Sequence, residues 1–383
     1  MKALIGESSG VAGASVDCGG VCKSDFSDLR FTNSDGITLL DYWIESVSGV
    51  TPNQLATVWI EFDYIAAWAT TFYMYYGNAS ATAVSSGVNT FILFEDFNAL
   101  NTADLNGQNG WSGHTNWDVG TAVKYEGAKA ATSATGGTTV NVAKTISSPC
   151  TYHLFLQARV RHSQVSAANG LDVYLWEGNN QIAAMAISSS QMTSLVYTSG
   201  WLNIGKAVLN DTWYKILFAV DSVATHSTWC DDVKYTPASV TNYISVSSTI
   251  NKISIEQYTA GGAAFVDQIV VGQYLSTGPV WGTWEVEYMG GPELYGVAKA
   301  YMEGMYGHTY YKTIALTGSA GAGTDYQVYL RVGESSGSSC DFHVNSHSLS
   351  FPISGGHGGD LRFASVNGLI DYPFYVVGVT GTT

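Results

Sequence analysis

The sequence predicts an all-β protein built from tandem β-sandwiches, and three observations carry that expectation. Apolar and polar residues alternate over short runs, and almost no segment holds apolar residues at helical spacing for more than two turns. Tyr, Trp, Thr, Ser and Gly are abundant while Pro numbers only 7, a vocabulary of half-buried strands and tight turns. A set of motifs also recurs at both ends. Gly6-Glu7-Ser8-Ser9-Gly10 returns at Gly333-Glu334-Ser335-Ser336-Gly337, and Asp28-Leu29-Arg30-Phe31 returns at Asp360-Leu361-Arg362-Phe363. Each copy then runs into an Asp-Tyr pair, at Asp41-Tyr42 and Asp371-Tyr372, so order and sense agree and one module is written twice.

The elements follow in order. Only Met1 to Ile5 precede the first Gly-Glu-Ser-Ser-Gly, so the amino-terminal module, residues 1–90, is expected to lack its first strand. Within it, Leu55 to Phe62 and Thr70 to Tyr76 alternate well enough to give one face to a core. A second block, residues 91–277, carries strands at Thr138–Ile146, His153–His162, Leu171–Glu177, Gln181–Ile187, Trp213–Asp221, Thr249–Tyr258 and Ala264–Val271, separated by Gly-, Asn- and Ser-rich turns. Many short strands with such turns argue a sandwich. Residues 278–310 hold Pro, several Gly and the Trp281/Trp284 pair, and read as a linker. Residues 311–383 are the partial second copy, opened by the apolar run Tyr326 to Val332.

Composition excludes several function classes. At 383 residues the chain has room for two to four domains, and 46% apolar content fills their cores. Lys plus Arg number 16 against 31 Asp plus Glu, and a net charge of −15 repels phosphate backbones and anionic headgroups. Neither nucleic acid nor membrane insertion is expected, since no apolar run approaches the ~20 residues that a membrane helix needs. Five cysteines are an odd number in a chain too large to need stapling, so no disulfide framework is expected. Nothing after Met1 has a basic start followed by an apolar stretch, which reads as a mature or trimmed chain or one that never used a secretion signal.

Asp28 to Gly36, Leu40-Asp41-Tyr42-Trp43-Ile44-Glu45, Val58-Trp59-Ile60 and Tyr75-Tyr76-Gly77-Asn78 resemble the domain of unknown function family numbered 2341, over residues 3 to 90. Residues 311 to 372 resemble the opening of another copy, without the Tyr-Gly-Asn strand. The resemblance implies a small β-sandwich of archaeal and bacterial surface proteins, without assigned catalysis and often followed by a concanavalin A-like sandwich. Phe94-Glu95-Asp96-Phe97 looks like the start of that follower and Phe265 to Val271 like its closing strand. The fold expected is thus a central concanavalin A-like jelly roll flanked by two partial modules. Many jelly rolls set an acidic residue of the first strand near one of the last, and hard oxygen ligands suit Ca2+. That resemblance makes Asp96 and Asp267 calcium candidates.

The residues themselves offer further candidates. Cys18 and Cys22, with Cys340, His343 and His347 in the corresponding loop of the second copy, have the chemistry of a zinc site, although lone loop Cys and His are usually unliganded. Trp43, Tyr73, Tyr75 and Tyr76 suit a sugar platform or a small core equally. A glycosidase needs two carboxylates about 5 Å apart. Glu285 and Glu287 alternate on one run but lie outside the sandwich block and read as a solvated strand face. No nucleophile elbow, zincin or phosphate-loop motif is present, so no enzymatic activity is expected.

Two readings of function follow. The first is a structural or adhesive protein of an extracellular, cell or virion surface, whose split modules join copies head to tail. The run containing Tyr326, Val328, Leu330 and Val332 is the expected donor strand. The second is a carbohydrate-binding or receptor-binding module in which Trp111, Trp117, Trp176 or Trp213 stacks on extracellular glycans.

Overall fold

A computed structural model of the chain describes residues 1–65, 69–133, 140–150, 152–166, 170–196, 200–235, 240–257 and 261–274, with short strands beyond residue 279 described by backbone alone. The chain is all-β and divides into two compact units. One is Met1–Ser86 together with Gly278–Thr383, and the other is Gly87–Thr277.

In the first unit, one sheet runs in the order Val16–Asp17, Lys2–Gly6, Leu55–Ile60, Tyr42–Ser48. The expectation that the module lacks its first strand is corrected here. Ala3 and Ile5 alternate inward, and Lys2–Gly6 pairs with Leu55–Ile60 at five positions. The strand supplied from elsewhere is in the other sheet, ordered Val280–Trp284, Tyr310–Thr317, Ala69–Tyr76, Arg30–Asn33. Tyr310–Thr317 pairs antiparallel with Ala69–Tyr76 without a register shift, from Tyr310↔Tyr76 to Thr317↔Ala69. The stretch expected as a linker therefore contributes Val280–Trp284 to a sheet. Tyr326, Val328 and Leu330 lie outside the described residues, and Val332 instead opens a two-residue strand paired with Phe342–His343.

The core of this unit explains its local sequence. On Ala69–Tyr76, Phe72, Met74 and Tyr76 point inward and are fully buried, while Tyr73 and Tyr75 are half-buried on the other face, their rings 6.4 Å apart. Trp43 is also buried, so this cluster is shared between the core and the outer face. Phe31 packs edge-on against Tyr42 at 5.1 Å. The repeated Asp-Leu-Arg-Phe motif works by satisfying buried backbone groups. Asp28 accepts from the backbone N–H groups of Lys23 at 3.0 Å and Gly77 at 2.7 Å. Arg30 donates to the carbonyls of Ser27, Leu29 and Thr82, and the Tyr42 hydroxyl donates to Leu29 O at 2.6 Å. Burial pushes the Tyr42 phenol up to about 12.

The second unit is a sandwich of two antiparallel sheets. The nine-stranded sheet has the path Val233–Lys234, Thr225–Cys230, Tyr214–Val220, Leu154–His162, Ala264–Gln273, Ala130–Ser133, Trp117–Gly120, with Leu93–Glu95 and Val240–Thr241 beside it. The seven-stranded sheet runs Gly200–Ala207, Gln191–Val196, Asn180–Ser188, Leu171–Glu177, Ile250–Gln257, Val140–Cys150, Trp111–Gly113. Period-two alternation sends Leu154, Leu156, Ala158 and Val160 from one sheet, and Leu171, Val173 and Leu175 from the other, into one core. The alternate residues stand on the outer faces, where the functional candidates lie.

The Tyr310–Thr317 pairing has a direct test. Ile314→Pro removes a ladder N–H from a strand that has neighbours on both sides. Calorimetry is expected to show the first unit destabilised by on the order of 2 kcal/mol, with the transition of the second unit unmoved. An unchanged first transition contradicts the pairing.

Candidate functional site

The four tryptophans singled out as sugar platforms separate into two kinds. Trp111 and Trp117 are 1% and 0% exposed, which corrects their assignment, because a ring with no free face cannot stack on a sugar. Trp111 sits inside the sandwich, stacked on Phe97 at 6.1 Å, and its indole N–H donates to Glu95 Oε2 at 3.0 Å. Lys144 Nζ pairs with the same oxygen at 2.8 Å. Trp117 donates to Val140 O at 3.3 Å. Sequence distinguishes neither from a surface tryptophan, since both lie on strands of only three or four residues.

Trp176 and Trp213 are half-buried and belong to outer faces. On Leu171–Glu177 the core takes Leu171, Val173 and Leu175, so Asp172, Tyr174 and Trp176 project from the other side of the seven-stranded sheet. Tyr174 lies 5.5 Å from Trp176 and 6.1 Å from Trp201, and Tyr243 packs against the same cluster. Polar groups frame it. The Trp176 N–H donates to Ser254 Oγ at 2.7 Å, and Lys252 Nζ lies 4.7 Å from the Trp176 ring centroid. The shelf is formed by half-buried Trp176 and Trp201 on the buried Tyr174 ring, with the Lys252 ammonium at its edge and Ser254 buried beneath. Trp213, beside the nine-stranded sheet, meets Tyr125 edge-on at 6.0 Å.

The same sheet face holds a carboxylate pair that sequence reasoning missed. Asp172 stands directly opposite Glu256 on the neighbouring strand, and Asn141 stands opposite Glu256 on the next. The Tyr174 hydroxyl donates to Asp172 Oδ2 at 3.0 Å, and Asn141 Nδ2 donates to Glu256 Oε1. Burial, aided by the Glu256 charge, pushes Asp172 up to about 8, so one proton is held there at neutral pH. The strands are distant in sequence, and a search for alternating acids on one strand cannot see such a pair. Glu285 and Glu287 lie outside the described residues.

Asp96, Asp267, Cys18 and Cys22 are the proposed metal residues whose side chains the structure describes. Among the described residues no group of three His, Cys, Asp or Glu side chains is placed to hold a metal ion. Asp267 is fully buried, and its oxygens accept the backbone N–H groups of Tyr125, Glu126 and Gln268. Asp96 accepts from the Asn98 N–H at 3.0 Å. Cys18 is buried and Cys22 half-buried. Cys340 and His347 lie outside the described residues, and only the backbone of His343 is described. Between the sheets, Ser194 Oγ meets His226 Nε2 at 2.8 Å and His226 Nδ1 meets Asn242 Oδ1 at 3.0 Å. That arrangement has the connectivity of a nucleophile relay. All three residues are enclosed, at 0%, 0% and 1% exposure, so no substrate reaches the serine.

Comparison with known proteins adds little to this geometry. Residues 25–120 match a family described as a domain of unknown function (DUF2341), about a quarter of the chain, reaching from the first unit into the second. No curated protein matches. Among solved structures, the T. cruzi calreticulin globular domain is 12% identical, with 48% of this chain and 88% of that one covered at a TM-score of 0.35. The cellulose induced protein Cip1 is 11% identical, covering 48% and 98% at 0.35. The CBM22-1 xylan-binding domain of Paenibacillus barcinonensis Xyn10C is 14% identical, covering 49% and 96% at 0.28. Likeness at this level bears on neither ligand nor activity.

The Asp172 proton gives a pH prediction. Its folded value is raised from 3.8 to about 8, so the stability it contributes is complete below about pH 4 and is lost as the pH rises through about 8. Asp172→Asn fixes the neutral form. In chemical denaturation of the second unit, the variant is expected to gain on the natural protein steadily from pH 5 to 8 and to hold that gain above. A difference independent of pH contradicts the buried proton.

Proposed function

We propose that the chain is a non-catalytic adhesive protein of an extracellular, cell or virion surface that binds glycans on the outer face of its seven-stranded sheet. The observation that carries this reading is the half-buried pair Trp176 and Trp201, both packed against the buried Tyr174 ring, with the Lys252 ammonium beside Trp176. Aromatic faces take the apolar C–H side of a pyranose ring, while short polar groups at the edge select its hydroxyls. The non-catalytic part is supported by the enclosure of Asp172 and Glu256, at 0% and 4% exposure, since a general acid must touch the glycosidic oxygen. No helix among the described residues is long and apolar enough to cross a membrane.

A glycan array read with and without chelator tests the reading and the calcium expectation together. Trp176→Ala is expected to weaken any glycan bound by about tenfold, while Trp176→Phe retains most of the affinity. Absence of binding to every glycan in both conditions refutes the proposal.

A second reading, head-to-tail self-assembly by strand complementation, is favoured by the eight-position ladder between Tyr310–Thr317 and Ala69–Tyr76. The ladder lies within one chain, and a strand supplied from so far along the sequence can be exchanged for that of a neighbour with the same bonds. Sedimentation velocity at increasing concentration is expected to show oligomers, and Ile314→Pro is expected to abolish them. A strict monomer throughout sinks the exchange.

A further inference from the structure

The outer face of the nine-stranded sheet carries a second aromatic cluster, in which partly exposed rings meet arginine. The chain has five arginines in all, and two of them, Arg159 and Arg161, stand here at alternate positions of one strand. The Arg159 guanidinium lies over the Tyr125 ring at 4.1 Å, and the Arg161 guanidinium over Phe265 at 5.0 Å. Tyr125 is 37% exposed and meets the half-buried Trp213 edge-on. The register also sets Arg159 beside Lys215, which pairs with Asp232 at 2.6 Å. Cations on neighbouring strands repel, so this arrangement favours carboxylates at its edge.

One carboxylate is already there. Asp211 Oδ1 takes Arg161 Nη2 at 2.6 Å from a side chain that is 58% exposed, and its residue adopts a left-handed φ of 57° in the turn before Trp213. It holds the arginine fork as an incoming acid would, within reach of solvent. On a chain of net charge −15 an acidic ligand is repelled elsewhere, so a cationic fork framed by aromatic rings acts as a local filter.

We infer that Tyr125, Trp213 and Phe265 with Arg159 and Arg161 form a binding site for a carboxylate-bearing saccharide of the uronic-acid class, its ring against the aromatics and its carboxylate exchanging with Asp211 for Arg161. The inference shares the glycan-binding reading but uses a different sheet face. Calorimetric titration of the full chain with an oligogalacturonate, with cellohexaose as the neutral control, tests both.

Arg161→Gln is expected to weaken oligogalacturonate at least tenfold. Asp211→Asn, in which asparagine tolerates the left-handed turn, is expected to tighten it severalfold by removing the competing acid. A residue that merely holds the fold moves affinity downward in both variants, and such a result overturns the site. Trp213→Phe, with its thermal transition checked against the natural protein, is expected to cost less than Arg161→Gln. Acetate competing as well as the saccharide at equal concentration reduces the site to a simple anion site and overturns the saccharide. If oligogalacturonate fails while a neutral glycan binds in a Trp176-dependent way, this site falls and the first face stands. If oligogalacturonate binds in an Arg161-dependent way and Trp176→Ala changes nothing, the reverse holds.

Discussion

The unpaired backbone along the outermost strands of each sheet constrains the whole molecule, because those N–H and C=O groups must be hydrated, blunted or paired. The second unit blunts its edges. One edge of the nine-stranded sheet is the two-residue Val233–Lys234 with its exposed lysine, and one edge of the seven-stranded sheet is the three-residue Trp111–Gly113, ending on a glycine at φ 143°. The opposite edge, Gly200–Ala207, breaks its register between Met192 and Thr193 and carries Gly205 at φ 88°. The Ala69–Tyr76 strand in the first unit has none of these devices. It is eight residues long and regularly alternating, and Arg30–Asn33 covers only four of its positions on one side. Such a strand is stable only with a partner along its free side, and the segment beyond residue 309 supplies one.

With 12% charged residues, the sheets also carry a few buried polar groups that link one segment to another. Asp28, Arg30 and Tyr42 tie the turn before Arg30–Asn33 to the segments at Gly77 and Thr82. Glu95 collects Trp111, Asn109 and Lys144, joining the strand Leu93–Glu95 to the opposite sheet. The Ser194–His226–Asn242 chain does the same at the other end, where Asn242 Nδ2 donates to the carbonyls of Ser222 and Val223. Burial holds His226 down at about 4, so this link stays neutral and both ring nitrogens keep their roles over the ordinary pH range. These links select one register of the two sheets. A slip by a single residue leaves each group buried without a partner.

Much of this was legible in the sequence, for a physical reason. A strand with one wet and one dry face writes its own period, so Leu171–Glu177, His153–His162 and Ala264–Val271 were readable, with ends within a few residues of the observed strands. Lys2–Gly6 was not, because five residues with two buried side chains give too short a period to read. The pairing strand Tyr310–Thr317 was not singled out for a related reason. Tyr326–Val332 and Tyr310–Thr317 are both apolar and aromatic, and only pairing geometry separates them. The sites were least legible. Whether Trp111 or Trp176 faces solvent depends on which strand covers it, and the Asp172–Glu256 and Arg161–Asp211 pairs join residues that only the fold makes neighbours.

The two outer faces of the sandwich differ in how their charge is handled. On the seven-stranded sheet the acids lie deep and burial raises Asp172, so the half-buried rings of Trp176 and Trp201 are met at the surface by the Lys252 ammonium. On the nine-stranded sheet the cations are retained near the surface, propped by ring faces and by exposed Asp211 and Asp232. Arginine suits that second role better than lysine. Its planar fork is weakly hydrated, stacks on tyrosine and phenylalanine and still reaches a carboxylate in plane. On a chain of net charge −15 the proposed acidic ligand is best met where the few guanidinium groups are concentrated and the neighbouring carboxylate is exposed. Arg159 and Arg161 stand at alternate positions on one strand face with the exposed Asp211 on Arg161, which is the arrangement the proposed site uses.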